Sequence, residues 1–231
     1  MGSVLSAFGL AFGQLADRRI LAILAKTIAV TLLVFAALAY AGSFAFDALL
    51  ERSGFAQASD EVSSLLALLA GLLAGWFLFR FVALAVIQFF AEDVVQAVED
   101  RHYPEAAHTA RKLSFSQEAS GSLKSAARAI IVNLIALPFA IVLLVTGIGA
   151  PLLFWAVNAH LLGRELQDMV WLRQPGEADE KPPLTGPTRF MLGGVVAALL
   201  LIPFVNLLAP VLGAASAAHL IHRKRIVTHA R

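Results

Sequence analysis

The sequence contains no cysteine, which excludes disulfide bonds, thiol catalysis and thiolate metal ligands. It also lacks a phosphate-binding P-loop, the HExxH zinc motif and a glycine-rich dinucleotide fingerprint. These absences remove the sequence signals of common nucleotide-dependent and zinc-dependent enzymes. Neither an enzymatic activity nor a cofactor is therefore predicted.

Acidic and basic residues are absent from two long stretches, 129–163 and 190–222. One membrane crossing needs about 20 residues, and two crossings with a turn need roughly 45. Each stretch is too long for one crossing and too short for two. Residues that disfavour a continuous helix lie near the middle of both. They are Gly147, Gly149 and Pro151 in the first stretch, and Pro203, Asn206 and Pro210 in the second.

Basic residues bracket both uncharged stretches. Arg128 and Arg164 flank the first, and Arg189 and Arg223 flank the second. Because basic flanks favour the cytoplasm, both ends of each stretch are predicted to lie on that side. The simplest geometry is two hairpins that enter the bilayer and turn back inside it. Non-helical backbone at that depth must be buried in protein or line a wet cavity, so the chain is a candidate for moving a polar solute.

The overall composition is that of an integral membrane protein in one domain. The chain is 59% hydrophobic, with a mean hydropathy of +0.77. Of its 18 Lys and Arg residues, only Arg52 lies in the loop between the first two predicted spans, which places both termini in the cytoplasm. The predicted fold is all-α, with two long transmembrane helices, two half-penetrating hairpins and an N-terminal interfacial helix. The predicted segments are an interfacial helix (1–19), a first span (20–47), a second span extending into the cytoplasm (61–101), a cytoplasmic helical segment (102–128), the first hairpin (129–163), a cytoplasmic linker (164–189), the second hairpin (190–222) and a basic tail (223–231).

Three local patterns give further structural predictions. Val4, Phe8, Phe12 and Leu15 fall on one face of the N-terminal helix, which is predicted to lie in the inner membrane interface. The serines of 114–122 predict an interruption of the cytoplasmic helical segment. The Pro-rich and charged stretch 173–188 predicts an exposed loop.

Four polar residues at or near membrane depth are candidates for lining a pathway. Arg80 lies inside the second span, where a charge is costly and usually faces a partner, a cavity or water. It would contact an anion, or it would snorkel or pair with a carboxylate on another helix. Asn133, Asn158 and Asn206 are placed along the same pathway. Their alternative role is structural, since the Asn206 amide can satisfy backbone groups freed by the neighbouring prolines.

Arg18 and Arg19 come just before the first span. Two adjacent guanidinium groups near the amides of a helix N-terminus would bind an oxyanion such as sulfate or phosphate. The alternative is the ordinary basic flank of a membrane span. His219 and His222 have no third ligand at a recognisable spacing, so no metal site is predicted. The basic run 222–225 is interpreted as an anchor near anionic lipid, and no nucleic-acid partner is expected.

Two stretches resemble motifs of the CysZ and etoposide-induced-protein membrane family. Residues 202–220 (IPFVNLLAPVLGAASAAHL), which include Pro203 and Pro210, resemble the C-terminal signature of that family. An amphipathic N-terminal helix followed by an arginine pair fits the same family. The second recurrent motif of the family is matched by Trp155, Asn158, Gly163, Arg164 and Glu165.

The resemblance implies a helical bacterial inner-membrane protein, often oligomeric, in a family whose bacterial CysZ members are associated with sulfate uptake. It also implies an oxyanion site formed by a Gly-Leu turn and a pair of arginines. The matching positions here are Gly9, Leu10, Arg18 and Arg19. Asp17, an acid beside this site, departs from the family pattern and is compatible with a divergent branch that has another substrate.

The leading hypothesis is an inner-membrane permease or channel for sulfate or a similar small oxyanion, not driven by ATP on this chain. Arg18 and Arg19 would capture the anion, and Arg80 would compensate its charge at depth. The expected partners are the anion, the lipid bilayer and a second copy of the chain. The alternative is a non-transporting membrane scaffold, in which the same polar residues only satisfy helix ends and pack the hairpins.

Overall fold

The computed structural model describes residues 2–53, 69, 71–73, 75, 91–111, 113–175, 182–202 and 205–229. All regular structure in these ranges is helical, which confirms the predicted all-α class. The helices are α1 (Gly2–Gln14), α2 (Arg18–Ser53), α3 (91–102), α4 (Pro104–Thr109), α5 (Phe115–Leu143), α6 (Gly149–Trp171), α7 (Gly186–Leu200) and α8 (Ala209–His229), with 3₁₀ turns at Leu144–Thr146 and Val205–Leu207.

The chain divides into two compact units, of which the first combines Met1–Ile20 with Ala91–Arg231 and the second is Leu21–Phe90. The second unit contains most of α2. Within it, the hydroxyl group of Thr31 donates to the carbonyl oxygen of Thr27 at 2.8 Å. A hydroxyl that bonds back to its own helix in this way needs no water, which suits an apolar environment.

Two helical stretches are long and apolar enough to cross a membrane, Arg18–Phe44 and Ala119–Thr146. The first overlaps the predicted first span (20–47), and the second includes the first arm of the first predicted hairpin. Large apolar side chains on the second stretch face outward, with Leu134 66% exposed and Val145 93% exposed. Exposing this much apolar surface to water is unfavourable. These helices are therefore suited to contact with lipid.

The turn between α5 and α6 lies where the sequence has its first cluster of helix-disfavouring residues. α5 ends in the 3₁₀ turn Leu144–Thr146, and Gly147 follows with a φ of 73°. That backbone conformation is strained for residues with a Cβ, which explains the glycine. The Thr146 hydroxyl oxygen then accepts a hydrogen bond from the backbone N–H of Gly149 at 2.8 Å. One of the unpaired amides at the start of α6 is thereby satisfied within the turn.

The predicted interruption at 114–122 is wrong, because these serines start α5. The hydroxyl oxygen of Ser114 accepts from the backbone N–H of Gln117, and the Gln117 side chain accepts from the backbone N–H of Ser114. This reciprocal capping box satisfies two amides at the helix start. α5 therefore begins at Phe115, well before the uncharged stretch, and continues through Pro138 to Leu143.

α1 packs against α8 through its smallest side chains. Val4, Ala7 and Ala11 are buried, whereas Phe12 is 66% exposed. The predicted apolar face is therefore only partly buried, since Val4 lies in the protein interior whereas Phe12 lies on the surface. Small side chains allow two helix backbones to approach closely, which explains why they occupy the contact.

α6 and α7 approach each other closely enough to require glycine. A Cβ atom on Gly193 would overlap the carbonyl oxygen of Ala159 and the backbone of Gly163. Beside this contact, the indole N–H of Trp155 donates to the carbonyl oxygen of Gly194 at 3.0 Å. Family-motif residue Gly163 is therefore a packing residue of the α6–α7 pair.

The turn between α7 and α8 contains the 3₁₀ turn Val205–Leu207. The backbone N–H of Asn206 donates to the carbonyl oxygen of Ile202 at 3.0 Å. Pro210 lies in the first turn of α8, where a missing N–H costs no helical hydrogen bond. Pro203 lies outside the described residues.

Candidate functional site

Arg18 and Arg19 form the first turn of α2. The Nη1 atom of Arg19 lies 2.9 Å from the Oδ2 atom of Asp100, and both side chains are well exposed. Arg18 is exposed and has no ion-pair or hydrogen-bond partner within the ranges that the structure describes. Of the predicted pair, Arg18 is thus open to a ligand, whereas Arg19 is shared with a carboxylate.

Asp17 occupies the N-terminal end of α2. Its Oδ1 atom accepts from the backbone N–H of Arg19 at 3.0 Å, and its Oδ2 atom pairs with the guanidinium of Arg101. The hydrogen bond from the Arg19 amide, together with Arg101, lowers the pKa of the Asp17 carboxyl. This carboxylate takes up an amide that an oxyanion would otherwise use at a helix start. A bound anion must therefore rely on the guanidinium groups or displace Asp17.

Gly9 and Leu10, which the family resemblance places in a turn, lie in the middle of α1. Their amides consequently belong to the helical hydrogen-bond ladder and are not directed at a ligand. Both residues are exposed, and a Cβ on Gly9 would meet nothing within 4 Å. Their part in anion binding stays a prediction.

The candidate pathway residues are in part engaged with their own helices. The side-chain amides of Asn133 and Asn158 each donate at 2.8 Å to the backbone carbonyl four residues earlier. Asn133 also lines a mainly apolar groove of about 400 Å³ between α5 and α6. Asn206 is exposed in the turn before α8. Arg80 lies outside the described residues, so its role stays a prediction.

The charged residues of the second family motif, Arg164 and Glu165, lie in the C-terminal half of α6. The side chains of Arg164 and Arg128 each approach Asp168 at 3.9 Å. Burial, followed by the charge of Asp168, raises the pKa of the neighbouring Glu165. The Arg128–Asp168 pair links the middle of α5 to α6, and the Arg164–Asp168 pair lies within α6, so both contacts are structural.

A buried polar cluster joins three parts of the chain, namely α3, α8 and the short segment that follows α6. The sequence did not predict this cluster. We refer to Glu99, Arg173, Gln174 and His222 as the Glu99 cluster. The Oε1 atom of Glu99 lies 2.9 Å from Nε2 of His222 and accepts from Nε2 of Gln174 at 3.1 Å. The Oε2 atom lies 3.5 Å from Nη2 of Arg173. A carboxylate removed from water in this way needs such partners to remain ionised.

The predicted exposed loop 173–188 is wrong at Arg173, Gln174 and Leu184, which are buried, and at 186–188, which begin α7. Arg173 and Gln174 are only 8% and 3% exposed, because both side chains turn inward to Glu99. Oε2 of Glu99 and Nη1 of Arg173 are buried and form no hydrogen bond within the described part of the chain. Folding of this segment is therefore tied to one buried carboxylate.

A second polar group surrounds His219 on α8. The ring Nδ1 atom lies 2.9 Å from the Tyr103 hydroxyl, and Nε2 lies 2.9 Å from the side-chain nitrogen of Gln14. The same nitrogen lies 2.8 Å from Nε2 of His102. Because an amide nitrogen donates, Nε2 of His219 accepts and its Nδ1 carries the proton. His219 is buried, so these partners satisfy both ring nitrogens inside the protein.

His219 and His222 are thus used in hydrogen bonding. In the portion of the chain that the structure describes, no group of three or more His, Asp or Glu residues is placed to hold a metal ion. Their spacing of three puts both rings on one face of α8, where they meet Tyr103 and Glu99.

A cavity of about 660 Å³ opens beside the Glu99 cluster. Arg225 lies in its wall, where Nη2 donates to the carbonyl oxygen of Pro175 at 3.0 Å. The guanidinium also lies 5.3 Å from the centre of the Trp171 ring, a cation–π contact. The polar residues that line the cavity are His102, Tyr103, Glu105, Thr109, Gln174, His222 and Arg225.

The comparison with protein families decides the affiliation of the chain. A family model described as sulfate transporter CysZ/etoposide-induced protein 2.4 matches residues 7–210. The chain belongs to this family. The match confirms the resemblance found in the sequence motifs. No curated protein and no solved structure matches the chain.

Membership in the CysZ/etoposide-induced-protein family agrees with the two candidate spans and the exposed apolar helices. The chain is thus a helical membrane protein of a family named for a sulfate transporter. The matched segment contains Arg18, Arg19 and Glu99. It also contains the turn between α5 and α6 and the turn between α7 and α8. It ends at residue 210, so His219, His222 and Arg225 lie beyond it.

Proposed function

We propose that this chain lets sulfate or a similar small oxyanion cross the bacterial inner membrane, as a permease or channel that uses no ATP of its own. The observation that carries the proposal is the exposed pair Arg18 and Arg19 at the residue where a candidate membrane span begins. The family, named for a sulfate transporter, supports the choice of anion. Both termini would lie in the cytoplasm.

The ion pairs around Arg19 suit capture followed by release. Exposed ion pairs contribute only about 0–1 kcal/mol, so a divalent oxyanion can displace Asp100 from Arg19 at little cost. When the anion leaves, Asp100 can pair with Arg19 again. Because conduction requires binding that is favourable but weak, this competition is an advantage for a channel.

The route beyond the arginine pair is proposed to run along the two hairpins. The apolar exposed surface of α5 supports insertion of the first hairpin into lipid, with Val145 and Ile148 at its tip. Asn133, Asn158 and Asn206 would offer polar contacts, and Arg80 would compensate the anion charge at depth. These assignments extend the sequence prediction.

Substitution of both arginines tests the proposal directly. The Arg18→Ala/Arg19→Ala protein, reconstituted in liposomes, should show an initial rate of labelled sulfate uptake at least about ten-fold below that of the parent. Each hydrogen bond to a charged group contributes about 1.5–3 kcal/mol, so loss of two guanidiniums should exceed a ten-fold effect.

The matched control is Arg111→Ala/Lys124→Ala, which removes two other exposed positive charges. Its uptake should equal that of the parent. Equal uptake by the two double variants would reject the arginine site. Absence of uptake by the parent would instead favour the alternative, a membrane scaffold in which the pairs Asp17–Arg101 and Arg19–Asp100 only fasten helix ends.

A further inference from the structure

The cavity beside the Glu99 cluster shares no lining residue with the Arg18–Arg19 site, and its residues His222 and Arg225 lie beyond the segment matched by the family. Its volume of about 660 Å³ is in the range of ligand pockets in proteins. Gln174 and His222, each 3% exposed, form its buried side. Glu105 is exposed and forms part of its rim. The polar groups at its base are therefore buried, while its acidic group faces water.

His222 has one ring nitrogen to offer to a ligand. Its Nε2 atom lies 2.9 Å from the Glu99 carboxylate, which can only accept, so Nε2 carries a proton. Its Nδ1 atom has no hydrogen-bond partner in the part of the chain that is described, and the ring lines the cavity. Nδ1 can therefore accept a hydrogen bond from a water molecule bound to an anion. Because the His222 side chain is only 3% exposed, the surrounding protein holds its ring in a fixed position in the cavity wall.

Arg225 supplies positive charge at a fixed position. Its Nη1 atom donates to Oε1 of Gln174 at 3.4 Å, and Nη2 donates to the carbonyl oxygen of Pro175 at 3.0 Å. Gln174 in turn donates to Glu99, so its amide cannot rotate without losing both contacts. A guanidinium held in this way brings a fixed positive charge to the cavity wall, and that charge attracts an oxyanion.

We propose that this cavity is a second binding site for a small oxyanion, held by Arg225 and His222 together with part of the anion's water shell. One water takes up about 30 Å³ in the liquid, so the cavity has room for a tetrahedral anion and several waters. The identity of the anion as sulfate rests on the proposed function. The existence of the site does not, because it stands on cavity residues that the transport proposal does not use.

Equilibrium binding of labelled sulfate tests the site in the Arg18→Ala/Arg19→Ala background, where the first site is removed. The purified protein is measured in nanodiscs of zwitterionic lipid. Added Arg225→Gln should weaken binding about ten-fold. Added His222→Gln, which keeps a donor for Glu99 but removes the second ring nitrogen, should weaken it about three-fold.

Glu105→Gln gives a test that loss of folding cannot imitate. Removing the acidic group from the rim should strengthen sulfate binding about three-fold, since exposed charges interact by up to about 1 kcal/mol. Glu92→Gln, an exposed acid on α3 that does not line the cavity, is the matched control and should leave binding unchanged.

Three results would overturn the second site. They are no sulfate binding in the Arg18→Ala/Arg19→Ala background, no gain with Glu105→Gln, and no loss with Arg225→Gln. The two proposals fail separately. Parent protein that binds sulfate in the cavity but shows no uptake rejects transport alone, and uptake without cavity binding rejects this site alone.

Discussion

Replacing Gly193 with alanine should prevent the chain from accumulating as a folded protein. The added Cβ would overlap the carbonyl oxygen of Ala159 and the amide nitrogen and Cα of Gly163. All three are backbone atoms, so no side-chain rotation relieves the overlap and α6 must move away from α7. Overpacking costs about 1–3 kcal/mol where side chains can yield, and the cost should exceed that range here. We expect the yield of monodisperse protein after detergent extraction to fall to about a tenth of the parent's or lower.

Gly186, the first residue of α7, provides the control on the same helix. A Cβ there would meet nothing within 4 Å, so Gly186→Ala should accumulate like the parent. Gly163→Ala should behave like Gly193→Ala, because its Cβ would overlap the carbonyl oxygen of Arg189. Normal yields of Gly193→Ala and Gly163→Ala would show that α6 and α7 do not pack backbone to backbone.

Replacing Glu99 with alanine should lower the melting temperature more than any other change of a charged residue on α3. Glu99 is 0% exposed, and its removal leaves the buried Arg173 without its carboxylate. Breaking a buried pair from one side costs about 3–5 kcal/mol. For a chain of this size that corresponds to a decrease of roughly 10 °C in thermal unfolding followed by circular dichroism in detergent.

The control is Glu92→Ala, since Glu92 is exposed on the same helix and should change the melting temperature by no more than about 2 °C. Arg173→Met alone should also be destabilising. The Glu99→Ala/Arg173→Met double variant should lose less than the sum of the two single losses, because neither charge is then left alone. Additive losses, or a Glu99→Ala protein as stable as Glu92→Ala, would mean that the cluster does not hold these segments together.

The sequence predicted the helical class and the positions where the helices turn, because these depend on local properties. The glycines and proline at 147–151 interrupt an apolar run, and the turn between α5 and α6 lies there. The start of α5 was also visible in the sequence, as Ser114 followed three residues later by Gln117. The predicted interruption is wrong because it treats serine as unfavourable for a helix throughout the stretch, whereas serine at an N-cap favours helix formation.

The Glu99 cluster could not be predicted from one sequence. Its members come from α3, from the segment after α6 and from α8, and only folding brings Glu99 and His222 together. Local composition predicted exposed side chains at Arg173 and Gln174, because they begin a polar, proline-rich stretch that is typical of exposed loops. Both side chains are instead buried. The buried face of α1 was missed for a similar reason, because contact with α8 selects the small Ala7 and Ala11 over larger apolar side chains.

The central claim is that the two uncharged stretches turn back within the bilayer, and single-cysteine labelling tests it most directly. The natural chain has no cysteine, so Val145→Cys and Leu201→Cys, which are 93% and 75% exposed at the two tips, give the only thiols present. A thiol must be in water to ionise and react. Neither tip should therefore react with a membrane-impermeant maleimide added from the periplasm, whereas Thr185→Cys should react only after the membrane is permeabilised. Rapid reaction of both tips in intact cells would contradict the hairpin topology and the proposed route with it.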